Sequence, residues 1–139
     1  MTINENQNRI IKTFESLNDW FDRYEYLVKL GKEHAPEHEK VRTEENLLNG
    51  CQSGVWIYKE VREGKVFYKG DSDSVIIRGI LVLLMEILSD NYPIDIVNAD
   101  LYFVKEIGLN NSLSPVRKDG MSSIIKQMKT LARNCIYPS

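Results

Sequence analysis

The sequence has little of what marks several large classes of protein. Its 139 residues include only two cysteines, Cys51 and Cys135, which form neither a disulfide framework nor a C-x-x-C pair. Lysine and arginine number 18 against 20 aspartate and glutamate, so the basic surplus usual in nucleic-acid-binding proteins is missing. The composition therefore disfavours a secreted disulfide scaffold and a nucleic-acid partner.

Long hydrophobic runs are also missing. The most apolar stretch, Val75–Leu88, is interrupted by Arg78 and Glu86 and is too short to span a bilayer. Residues 1–6 show no basic region followed by an apolar segment, as a secretory signal would. We therefore expect a cytoplasmic protein with no membrane partner, and the length fits a single domain over residues 1–139.

Apolar residues at helical spacing are present in several segments. The longer predicted helices cover about 10–17, 20–30, 74–89 and 115–135. Shorter helices are predicted after Pro93 and over about 101–107. The polar stretch 32–49, which contains Pro36, is predicted to be a long connection, and such connections are often functional.

Two short segments carry a strand pattern instead. Residues 55–61 and 65–68 are rich in aromatic and β-branched side chains, and Arg62-Glu63-Gly64 lies between them. This arrangement predicts a β-hairpin. The sequence therefore indicates an α+β domain in which helices pack on a small antiparallel β-sheet.

The two cysteines lie in different contexts. Cys51 sits in Gly50-Cys51-Gln52-Ser53-Gly54, where two glycines and a polar connection favour a flexible loop. Such a thiol suits a nucleophile that meets a partner, although a small buried residue at the start of a strand fits the pattern equally well. Cys135 continues the apolar stripe of the last helix and is predicted to be a packing residue.

Other candidate ligands and charges fit ordinary roles. His34 and His38 are four residues apart, but Pro36 disfavours the helix that would bring them together, and no metal site is predicted. Asp71 and Asp73 fit turn-forming and helix-capping roles. Arg117, near a helix start, is unfavourable for the helix dipole, so either a contact elsewhere sets its position or it is an ordinary surface residue.

Blocks of residues in a fixed order resemble the SufE family of sulfur-acceptor proteins. The first is Gly50-Cys51-Gln52-Ser53 with Val55-Trp56, preceded by Arg42 and Asn46. The later blocks are Gly70-Asp71-Ser72-Asp73, Ile76-Ile77-Arg78-Gly79, Asp95-Ile96-Val97-Asn98, Gly108-Leu109 and Leu113-Ser114-Pro115-x-Arg117-x-x-Gly120. The N-terminal part agrees in Asp19-Trp20 and Leu30-Gly31. Two residues depart from the family pattern, since Arg78 stands where lysine is frequent and Gly54 where a larger polar residue is frequent.

The resemblance implies a fold similar to that of the U-type iron–sulfur scaffolds such as IscU. It implies that Cys51 accepts persulfide sulfur from a SufS-like or CsdA-like cysteine desulfurase, stimulates that enzyme, and passes the sulfur to a SufBCD-like cluster scaffold. It also implies supporting or docking roles for Gly50, Gln52, Asp73 and Arg117. Pyridoxal phosphate belongs in the partner, and this chain is expected to bind no cofactor. The family contains paralogues that serve different desulfurases, and these motifs do not separate them.

Three rival interpretations stay open at this point. A cluster-assembling scaffold needs about three or four ligands, usually thiolates, and two cysteines do not supply them. A freestanding thiol enzyme would use His34 or His38 as the base for Cys51. A binding module would regulate a desulfurase without carrying sulfur. For the carrier, we predict modest activation of the Cys51 thiol and a loop that shelters it until a partner docks.

Overall fold

The computed structural model describes residues 1–138 and has an α+β architecture, which confirms the predicted fold class. The helices, in chain order, are α1 (Ile3–Glu15), α2 (Trp20–Glu33), α3 (His38–Val41), α4 (Val75–Leu88), α5 (Pro93–Val97), α6 (Phe103–Glu106), α7 (Leu109–Ser112) and α8 (Pro115–Ile136). A 3-10 turn covers Glu44–Asn46, and the strands are β1 (Val55–Arg62) and β2 (Lys65–Ser72).

The predicted hairpin forms from β1 and β2. The strands are antiparallel, with Val55 opposite Ser72 and Arg62 opposite Lys65. Glu63 and Gly64 both have positive φ angles, 53° and 80°, which is the backbone of a tight hairpin turn that matches strand twist. Strand β2 continues through Gly70 and Asp71 to Ser72, where a turn was predicted, because the ladder with β1 extends that far.

Helix α4 lies at the centre of the hydrophobic core, as its nearly continuous apolar sequence predicts. It packs on β2 and on helices α1, α2 and α8. A Cβ atom on Gly79 would collide with the carbonyl group of Leu27, and one on Gly31 would collide with the carbonyl oxygen of Val75. The two glycines therefore allow α2 and α4 to pack with their backbones close together.

The stretch 32–49 is less irregular than predicted. It contains α3 and the 3-10 turn, each too short to show a hydrophobic period in the sequence. The Asn46 side chain donates a hydrogen bond to the carbonyl oxygen of Val41 at 2.9 Å and so joins the two turns. The short α7 was not predicted for the same reason. The segment 32–49 thus leads into the Cys51 loop as a folded arm.

Candidate functional site

Cys51 lies on a loop that is closed at its base. The backbone N–H of Leu48 donates to the carbonyl oxygen of Val55 at 2.8 Å, and Leu47 forms a bridge with Trp56. Residues 49–54 therefore project from the start of β1 as one loop, with the thiol near its middle. This placement agrees with the loop predicted from the flanking glycines.

The two ends of this loop are held differently. On one side the backbone N–H of Gly54 donates to the Asp73 carboxylate at 3.0 Å. Its carbonyl oxygen accepts from the Ser72 hydroxyl at 2.8 Å and from the backbone N–H of Asp73 at 3.1 Å. On the other side Gly50 has a φ of 89°, and a Cβ atom built there would have no neighbour within 4 Å. Hydrogen bonds therefore anchor the loop at Gly54, whereas at Gly50 the loop borders open space.

Gly54, the residue that departs from the family pattern, is explained by its surroundings. A Cβ atom at this position would come within 2.7 Å of the Trp56 ring and 2.8 Å of the Asp73 carboxylate. A larger side chain would have to displace both groups. The absence of a side chain thus lets the Trp56 ring and the carboxylate close tightly over the anchored end of the loop.

The Cys51 side chain is half-buried against the core beneath the loop. A cavity of about 20 Å³ adjoins it, with Val55 and Ile77 among its apolar walls and Gly120 on α8 opposite. Burial raises the pKa of the Cys51 thiol above its ordinary value, and a hydrogen bond with the Ser123 side chain partly opposes this shift. Burial thus shelters the thiol and opposes its ionisation, whereas modest activation of the thiol was predicted.

Helix α8 supplies the other wall of the site. Arg117, Gly120 and Ser123 follow at intervals of three residues, so they lie along one face of the helix toward the loop. Ser123 was not predicted as a site residue. The spacing from Gly120 could have indicated it, but only after the helix face toward Cys51 was known.

The other predicted site residues lie around the same loop. Gln52 is exposed and lines the cavity together with Arg117. The guanidinium carbon of Arg117 lies 5.9 Å from the centre of the Tyr24 ring, a cation–π contact with α2. Asp73 is exposed and acts on the loop through its bond to Gly54. Residues far apart in the sequence thus converge on Cys51.

Asp71 has a larger role than the predicted turn. Its side chain is fully buried, and its carboxylate lies 2.8 Å from Nε of Arg42, 3.6 Å from Nη1 of Arg78 and 3.6 Å from Nδ1 of His38. The Arg42 guanidinium also lies over the Trp56 ring, 4.6 Å from its centre. This ion-pair network joins the arm, the sheet and α4 just below the anchored end of the loop. The sequence indicated this network only indirectly, because Arg42 and Asp71 both belong to the family blocks but lie in separate ones.

The two histidines are engaged away from the thiol. Nε2 of His34 lies 2.8 Å from the carbonyl oxygen of Gly70, and His38 faces Asp71. Neither contact presents an imidazole to Cys51 as a base. Within residues 1–138 there is no group of three or more histidine, cysteine, aspartate and glutamate side chains placed to hold a metal ion.

Cys135 lies at the far end of α8. Ser123, which contacts Cys51, and Cys135 are separated by a helix length of about 18 Å, too far for the two thiols to share a disulfide or a cluster. Nζ of Lys59 lies 3.1 Å from the Cys135 sulfur and 2.6 Å from the carbonyl oxygen of Leu131. The packing role predicted for Cys135 thus includes a polar contact that ties β1 to α8.

Comparison with known proteins identifies the family of this chain. The sequence profile of SufE, described as an Fe-S metabolism associated domain, matches residues 8–132. The chain belongs to the SufE family. The "Cysteine desulfuration protein SufE" of Wigglesworthia glossinidia brevipalpis is 37% identical over 126 residues, which cover 88% of this chain and 87% of that protein. Membership supports a sulfur-related role in Fe–S metabolism.

One further relative and one solved structure extend the comparison. An uncharacterized SufE-like protein of Synechocystis sp. is 36% identical over 131 residues, covering 94% of this SufE chain and 82% of the relative. The solution structure of a hypothetical protein from Thermus thermophilus shares the fold, with a TM-score of 0.76 and 19% identity over 95% of this chain and 96% of that one. No helix within residues 1–138 has the length and apolarity needed to cross a membrane.

Proposed function

We propose that this SufE protein is a sulfur carrier whose Cys51 accepts a sulfur atom from the persulfide of a cysteine desulfurase. The observation that carries the proposal is the half-buried thiol on a loop that is hydrogen-bonded at Gly54 and borders open space at Gly50. Such a loop can present the thiol to a partner and then withdraw it. Family membership supplies the class of partner.

The transfer is a thiol exchange. The Cys51 thiolate attacks the outer sulfur of the partner's persulfide, a bond forms between the two sulfur atoms, and the sulfur–sulfur bond of the partner breaks. The partner's thiolate leaves, and the proton of the outer sulfur stays with the new persulfide on Cys51. No net oxidation occurs, so the step needs no electron acceptor. The desulfurase, with its pyridoxal phosphate, removes the sulfur from L-cysteine, and no cofactor is required on this chain.

Only the thiolate is a good nucleophile, so the raised pKa of Cys51 has a consequence. In the sheltered position the thiol reacts slowly with small molecules. This suits a carrier, because an exposed persulfide would lose its sulfur to other thiols. Docking would move Cys51 out of its half-buried site and restore an ordinary thiol. The outgoing transfer, to an iron–sulfur assembly scaffold of the SufBCD type, would use the same exposed position.

Mass spectrometry tests the central step. The protein is incubated with a pyridoxal-phosphate cysteine desulfurase and L-cysteine, and its peptides are analysed without reducing agent. We expect the mass of one sulfur atom to be added to the Cys51 peptide and not to the Cys135 peptide. A chain that stimulates the desulfurase but gains no sulfur would instead be a regulatory binding module.

The Cys51→Ser variant separates the two functions further. A carrier without its thiol should no longer stimulate turnover, because the desulfurase persulfide is not discharged. A regulator should stimulate turnover as well as the natural chain does. Desulfurases serving different paralogues can be compared in the same assay, which identifies the cognate enzyme.

A further inference from the structure

Helix α2 carries an apolar stripe that packs only partly against the core. Leu27 and Gly31 are buried against α4, whereas Phe21, Tyr24 and Val28 lie at intervals of three and four residues along another face. Phe21 is 67% exposed, and Tyr24 and Val28 are half-buried. These side chains line a surface groove of about 610 Å³.

The groove is continuous with the site at Cys51. Arg117 lines the small cavity beside the thiol and at the same time stacks on the Tyr24 ring at 5.9 Å. Val116, the neighbouring residue on α8, lines the same cavity and is 52% exposed. An apolar and aromatic surface therefore runs from the Cys51 loop across Arg117 to Phe21.

The size of a protein–protein interface indicates that a partner at Cys51 also covers this surface. The cavity beside Cys51 holds about 20 Å³, which is too small to anchor another protein. A stable interface covers about 800 Å² on each partner, a patch with a radius of about 16 Å. A patch of that size centred on the Cys51 loop extends well past Arg117. Phe21 is one of the aromatic residues that are enriched at the cores of protein interfaces.

The charges around the groove favour a protein partner. Glu25, Lys29, Lys32 and Glu33 surround the apolar stripe with both signs of charge. Within residues 1–138, none of these four side chains takes part in an ion pair. A polar rim of mixed charge around an apolar centre is typical of protein–protein interfaces, whereas nucleic acids and anionic lipids require a basic surface.

We propose that the groove on α2 formed by Phe21, Tyr24 and Val28 is the second part of the docking surface for the cysteine desulfurase. This inference rests on the proposed function, because the partner that reaches Cys51 is the one whose interface must continue across Arg117. The desulfurase places an apolar side chain on the Phe21 and Tyr24 rings, within a rim of charged groups. The loop then delivers the thiol, while α2 supplies affinity.

A concentration series tests this surface. Desulfurase turnover of L-cysteine is measured with increasing amounts of natural chain, Phe21→Ala and Tyr137→Ala, with dithiothreitol as the final sulfur acceptor. Tyr137 is the matched control because it is 74% exposed and lies about 30 Å along α8 from Arg117. We expect Phe21→Ala to need at least about tenfold more protein for half-maximal stimulation, with the same maximum. Tyr137→Ala should match the natural chain.

The other outcomes are distinguishable. An unchanged half-saturating concentration for Phe21→Ala, or an equal loss in Tyr137→Ala, would overturn the docking surface and leave the carrier function standing. A lower maximum at unchanged half-saturation would also overturn it, because the residue would then act on the transfer step. If the natural chain gains no sulfur from any desulfurase tested, the proposed function fails, and the inference fails with it. Circular dichroism and the alkylation rate of Cys51 verify that each variant is folded.

Discussion

Cys51 and Cys135 are both half-buried and both pack on the same hydrophobic core, yet their surroundings differ. Cys135 lies within the last turns of a long helix and contacts the Lys59 ammonium group. Cys51 lies on a loop that is hydrogen-bonded at Gly54 and borders open space at Gly50. The two thiols therefore differ in the backbone that carries them, which is a helix for Cys135 and a loop for Cys51.

The largest expected effect sharpens this comparison directly. Cys51→Ala should abolish sulfur gain from a desulfurase, whereas Cys135→Ala should load as completely as the natural chain, because only the loop thiol can leave its site. Whole-protein mass spectrometry after incubation with desulfurase and L-cysteine measures both variants. Full loading of Cys51→Ala would assign the carrier role to Cys135 and reverse the comparison.

The next effect concerns the buried ion-pair network of Asp71 below the loop. Asp71→Asn removes the buried charge that pairs with Arg42 and Arg78, and the free energy of unfolding should fall by about 3 kcal/mol. Glu60→Gln is the matched control, since Glu60 makes a more exposed ion pair with Lys40 and should cost less than about 1 kcal/mol. Urea denaturation measures both. Equal losses of unfolding free energy in the two variants would show that the buried network stabilises the fold no more than an exposed ion pair does.

Asp73→Ala should remove the hydrogen bond that anchors the loop at Gly54. Without its carboxylate the backbone N–H of Gly54 loses its partner, at a cost of about 1 kcal/mol, and residues 49–54 should open more often. We expect faster amide hydrogen exchange there and an increase of about fivefold in the alkylation rate of Cys51, with that of Cys135 unchanged. Amide hydrogen exchange of residues 49–54 in the natural chain, measured with and without desulfurase, tests whether docking changes the position of the loop.

Asp95→Ala is the control for that variant, because Asp95 is also exposed but lies on α5, away from the loop. If Asp73→Ala leaves exchange in residues 49–54 at the natural rate, the bond to Gly54 does not hold the loop. If the natural chain shows no change in exchange there when the desulfurase binds, the sheltered and exposed positions of Cys51 are not two separate states.

The smallest effect concerns the pKa of Cys51. Alkylation requires the thiolate, and burial raises the pKa of this thiol, so the rate should rise with pH through a midpoint above that of the denatured chain. Ser123→Ala removes the opposing hydrogen bond, so the midpoint should rise further and the rate at neutral pH should fall less than tenfold. Iodoacetamide kinetics in a Cys135→Ser background measure one thiol only. A midpoint that falls in Ser123→Ala would contradict the assignment.

Much of the fold could be predicted because its signals are local. The strands and the central helix α4 appear in the sequence as patterns of apolar and β-branched residues, and Ser74 and Ser114 cap their helices as expected. The shorter α3 and α7 were missed because a single turn contains no hydrophobic period. The loop at Cys51 could be predicted for the same reason, because Gly50 and Gly54 flank it directly in the sequence.

The sequence by itself determined the longer helices, the hairpin and the family, and it favoured Cys51 over Cys135 as the reactive thiol. Only the tertiary structure decided that Asp71 is buried among Arg42, Arg78 and His38, that Ser123 faces the thiol, and that Arg117 joins the loop to α2. It also decided that the pKa of Cys51 is raised. Local patterns depend on neighbours within a few residues, whereas burial and charge pairing depend on which distant segments pack together.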